Sequence, residues 1–121
     1  MSLEIIFVHD QGDHDTEHVL LKARANCRLS DFLLADGRHP DEAPAPDRIR
    51  HTYWFPDTPI QAGTYISVWT KRGKDTLGEM ADGTPVHRFY WNRPESVWNG
   101  VGEHVLLFQI AKCQSFRVHE N

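Results

Sequence analysis

Apolar and polar positions alternate with a period of two over much of the chain, the spacing of a strand that buries one face. Between residues 49 and 55, Ile49, His51, Tyr53 and Phe55 fall on one side and Arg50, Thr52 and Trp54 on the other. Pro56 has no N–H to give a sheet ladder and ends this run. Residues 57–63 carry turn chemistry, with Pro59 fixing φ and Gly63 able to take positive φ. A second alternating run sets Ile66 and Val68 against Tyr65, Ser67 and Trp69. Residues 49–70 therefore predict a strand, a turn and a strand, a hairpin around which the other elements are arranged.

Further strands are predicted at residues 3–8 (LEIIFV), 86–91 (VHRFYW), 103–110 and 114–119. The run 103–110 is apolar on both faces, which places it centrally in a sheet. Residues 114–119 then pair back on it through Ala111, Lys112 and Cys113. The stretch 28–35 ends at Asp36-Gly37, a turn signal. Two loops follow from glycine and proline content, at 37–48 and 71–85, and a tight glycine-bearing connection at 96–102. Residues 17–27 are ambiguous: Thr16 is a fitting N-cap and EHVLLKARANC is rich in helix formers, so local propensity favours a helix. The count and spacing of strands predict an all-β chain, an antiparallel sandwich or barrel.

The 121 residues suit one domain, 1–121, with a core of its own. A net charge of −4 argues against nucleic acid as a partner, and no apolar run is long enough to span a bilayer. Charge is nonetheless uneven, because residues 1–21 hold five acids and no Lys or Arg. Cys27 and Cys113 form no CxxC motif, and spacing alone leaves their pairing open. Two small buried or half-buried thiols are the favoured reading, and with the lack of a signal sequence at MSLEIIFVHD it points to the cytoplasm.

The order of several motifs resembles the lamin tail domain, an immunoglobulin-like module. Glu17-His18-Val19 followed by Leu29, Phe32, Leu34 and Asp36 is similar to the family's opening. Tyr53-Trp54-Phe55-Pro56 with Ile60, Gly63, Tyr65, Ile66 and Val68 is similar to its central signature. Trp91, Val97, Trp98-Asn99, Gly102-Glu103 and Leu107 match its closing pattern. The resemblance spans nearly the whole chain and departs from the family at the loops 37–48 and 71–85 and at the His-rich stretch 9–18. It implies an immunoglobulin-like antiparallel β-sandwich of about seven to nine strands. It also implies a strand at 17–24, against the helix propensity, and a non-catalytic binding or scaffold role with a protein partner.

Three groups of residues carry chemistry of their own. HDQGDHDTEH, residues 9–18, places His9, His14 and His18 among Asp10, Asp13, Asp15 and Glu17, donors that suit a divalent metal. The spacing matches no named site, so an exposed acidic loop competes with a metal-binding protein as its reading. Trp54, Tyr65 and Trp69 lie on the outward side of the two central strands and are candidates for partner binding or self-association. Lys71, Arg72 and Lys74 could meet phosphates, and a solvated loop accounts for them equally. No nucleophile motif such as GxSxG is present, so no catalytic residue and no cofactor is expected.

Overall fold

The computed structural model describes residues 1–38, 49–98 and 103–119, and among them the chain is an all-β sandwich of ten strands. In chain order these are β1 (Leu3–His9), β2 (His18–Ala23), β3 (Cys27–Arg28), β4 (Phe32–Gly37), β5 (Ile49–Trp54), β6 (Pro59–Ile60), β7 (Tyr65–Trp69), β8 (Thr76–Glu79), β9 (Pro85–Tyr90) and β10 (His104–Gln109). One layer is a five-stranded sheet in the order β1-β2-β7-β9-β8; the other is three-stranded, β10-β4-β5, and β3 pairs with β6 as a small ribbon. All pairings are antiparallel except β7 with β9, which is parallel.

The alternation seen in the sequence decides what faces inward. Val19, Leu21 and Ala23 of β2, Ile66 and Val68 of β7 and Phe89 of β9 meet Phe32 and Leu34 of β4, with Phe55, Ile60, Val97 and Trp98 completing the core. Burial of such a set is the main stabilising term of a domain this size. Inside the core Tyr53, Phe55, Phe89, Trp91 and Trp98 pack mostly edge to face, the preferred aromatic geometry.

Several expectations change. Residues 18–23 form a strand, as the family resemblance implies and helix propensity does not, because β2 lies between β1 and β7 and only a period of two buries Val19, Leu21 and Ala23 together. Residues 49–70 are no hairpin: β5 and β7 belong to different sheets, and the connection crosses the sandwich with Phe55 and Ile60 buried on the way. Asp36-Gly37 is no turn: both residues belong to β4, which ends at Gly37, and they pair with His51 and Ile49. The loop 71–85 contains β8, paired with β9. Among the described residues β10 is an edge strand rather than a central one, and residues 114–119 pair with no strand. The greater parts of the loop 37–48 and of the connection 96–102 lie outside the described residues.

Candidate binding surface

Register, rather than proximity in sequence, assembles the most distinctive surface. His9 of β1 is opposite His18 of β2, His18 is opposite Trp69 of β7, and Trp69 is opposite Tyr90 of β9. Residues opposite one another share a sheet face, so the four side chains form one row across four strands. The imidazoles stack at 4.7 Å between centroids, His18 stacks on the Trp69 indole at 3.9 Å, and Trp69 and Tyr90 follow at 6.3 Å. Phe7 closes the outer end against His9 at 4.9 Å. Within the row Lys71 holds its ammonium 5.5 Å from the Trp69 ring centre, a cation–π contact. At the far end of β7, Lys22 of β2 sits over Tyr65 at 5.1 Å.

The row is held from below and from its ends. Trp69 donates its indole N–H to Ser67 Oγ at 3.0 Å, and His18 donates Nδ1–H to the Thr16 carbonyl at 2.8 Å. Tyr90 lies against Gly73, where a Cβ would stand 2.5 Å from its ring. Asn92 fixes that loop by accepting the Gly73 N–H at 3.0 Å. Because ring faces are taken up by neighbouring rings, what remains for a partner is ring edges and their polar atoms. Burial pushes the His18 imidazole below its ordinary pKa, helped by the neighbouring His9 and opposed by the Thr16 carbonyl and Asp10.

The loop joining β1 to β2 is fastened by Glu17, fully buried. Its carboxylate accepts the backbone N–H of Gly12 at 2.8 Å, of Val97 at 2.9 Å and of Trp98 at 3.0 Å, and the Thr70 hydroxyl at 2.5 Å. Four donors satisfy both oxygens, which is what a buried carboxylate requires. This one side chain joins residues 12, 70, 97 and 98, three separate stretches of chain.

The inner side of β4 and β5 carries a second polar group. Asp36, buried, accepts the His51 backbone N–H at 2.7 Å and lies 3.0 Å from His51 Nδ1, while Arg50 pairs with Glu103 at 2.5 Å. Burial raises the Glu103 pKa; Arg50 opposes the shift and Asp36 adds to it. His51 also packs on Trp91, and the arrangement ties the end of β4 to β5.

The residues proposed from sequence regroup. Trp69 joins His9 and His18 in one row, which merges a metal candidate with a partner-binding one. Tyr65 lies on the same outer face. Trp54 does not: it stands on the outer face of the three-stranded sheet and donates its indole N–H to Ser30. His14 turns to the loop after β9, with Nε2 2.6 Å from the Arg93 carbonyl oxygen. Among the described residues no three His, Cys, Asp or Glu side chains are grouped to hold a metal ion. Both cysteines are free thiols, Cys27 half-buried with its pKa raised by burial and Cys113 exposed. Sequence reasoning missed Phe7 and the role of Glu17, which depend on register and on distant backbone.

No family model matches this chain, and no curated protein matches it. No described helix is long and apolar enough to cross a membrane.

Proposed function

We propose that the protein is a non-catalytic binding module of the lamin tail type, holding a protein partner on the outer face of its five-stranded sheet. The observation that carries this reading is the row Phe7–His9–His18–Trp69–Tyr90, rings aligned by register and partly open to solvent. Aromatic residues with polar edges on a rigid sheet are the composition of interface centres. The family resemblance gains support from Glu17, which bonds to Val97 and Trp98 and so links the opening of the lamin-tail pattern to its close. Two free thiols fit a reducing, cytoplasmic setting.

The test is comparative capture from the lysate of the native organism. A specific partner is expected on the wild-type protein and on Trp54→Ala, and is expected to be lost from a His18→Ala/Trp69→Ala double variant. Retention by the double variant moves the interface elsewhere. Turnover of an ester, phosphodiester or glycoside by the protein alone would overturn the non-catalytic reading.

A further inference from the structure

The segment after β10 has the pattern of a strand and none of the pairing. Residues 111–119 are exposed, and among the described residues none of them takes part in a backbone–backbone hydrogen bond. Gln114, Phe116 and Val118 alternate with Ser115, Arg117 and His119. Phe116 and Val118 are 88% and 89% exposed, more than any other large apolar residue described.

The three-stranded sheet lacks the complementary part. On its outer face Phe108, Leu33 and Trp54 stand in one row across β10, β4 and β5. Trp54 is 52% and Phe108 37% exposed. The row ends at β5, the last strand of that sheet, whose Arg50, Thr52 and Trp54 are all exposed. Segment and row lie at the same end of the sheet, since Gln109 pairs with Phe32 and Leu33 with Trp54. Ile110 donates its N–H to the Asp31 carbonyl at 2.7 Å, which directs the chain past the start of β4 instead of back along β10.

We propose that two copies of this chain exchange these segments. Residues 114–119 of each copy add antiparallel to the β5 edge of the other, with Phe116 beside Trp54 and Val118 beside Thr52. The outer apolar row is thereby lengthened by one strand, and the ladder groups of β5 gain partners. Exposed edges and exposed apolar strands invite such pairing. A second copy is the fitting occupant because one contact, made twice about a two-fold axis, pairs the segment and the β5 edge of both protomers. A foreign strand would cover Trp54 and leave Phe116 and Val118 in water. An aromatic side chain buries about 150–250 Å² when covered, so Phe116, Val118 and the open half of Trp54, taken over both copies, offer on the order of 800 Å². That falls short of the roughly 1,200 Å² at which specific interfaces begin, and the added strand backbone contributes beyond it.

Sedimentation velocity over a wide concentration range tests this on the full chain. The wild-type protein is expected at twice 14.0 kDa at high concentration, and Phe116→Arg/Val118→Arg and Trp54→Arg each at 14.0 kDa. An equal mixture of the two variants is expected to associate again, because one intact segment then meets one intact row. Thr52→Pro, which disturbs the edge and leaves the Trp54–Ser30 bond in place, replaces Trp54→Arg if circular dichroism shows that variant unfolded. A wild-type protein that stays at 14.0 kDa, a dimer that survives either variant, or a mixture that stays monomeric overturns the proposal. The surface lies on the opposite layer from the His18–Trp69 row, so the outcome is separable from the partner-capture result.

Discussion

Glu17 shows how much one buried carboxylate can organise. With four donors on its two oxygens, it holds the loop before β2, the end of β7 and the backbone at Val97 and Trp98 in fixed relation. Glu17→Gln keeps the shape and replaces one acceptor oxygen with an NH₂ group that faces donors. The expected loss is roughly 2–4 kcal/mol of unfolding free energy, read by chemical denaturation, given that bonds to a charged acceptor are worth about 1.5–3 kcal/mol each. An unchanged midpoint would show that water or backbone shifts replace the carboxylate. In the sequence Glu17 was one of five acids in the first 21 residues, alike in type to exposed Asp10 and Asp15. Its burial is set by residues some 80 positions away, and no local signal distinguishes it.

Strands were legible where alternation was strong and illegible where a neighbour decided. β5, β7 and β9 follow their sequence patterns within a residue or two. β8, TLGE, has no pattern of its own and exists because β9 offers it an edge. The reverse holds for residues 114–119, patterned as a strand and unpaired within the described chain. The loop between β7 and β8 depends on Gly73, whose missing Cβ leaves room for the Tyr90 ring. Gly73→Ala is expected to push Tyr90 off the row and lower stability by about 1–3 kcal/mol, the range for overpacking a close contact. The checks are a denaturation midpoint and the chemical shifts of the Trp69 and His18 rings. Unmoved shifts with unchanged stability would mean that the loop yields freely.

Across the whole molecule, stability should respond to acid through its partly buried imidazoles. Burial depresses the pKa of His18 and of His87 below the ordinary 6.5. Between the depressed value and 6.5 the unfolded chain binds more protons than the folded one, so stability is full above 6.5 and falls as pH drops through that window. His18→Phe keeps a ring in the stack and removes one titrating group. Its urea midpoint is expected to fall less than that of the wild-type protein between neutral pH and about pH 5, where histidines titrate and most carboxylates do not. Equal slopes would show that His18 protonates without consequence for the fold. Glu103 works in the opposite sense, since its raised pKa favours the folded state at low pH and withdraws that stability as pH rises.

By itself the sequence determined the all-β class, the inward and outward faces of most strands and the positions where Pro56 and Gly63 turn the chain, because period-two burial and backbone stereochemistry are local properties. Only the tertiary structure decided that residues 49–70 cross between sheets, that Trp54 stands apart from Tyr65 and Trp69, and that His9, His18, Trp69 and Tyr90 form one row. Those facts depend on which strand lies beside which and in what register, and that choice is made by the core as a whole rather than by any one segment.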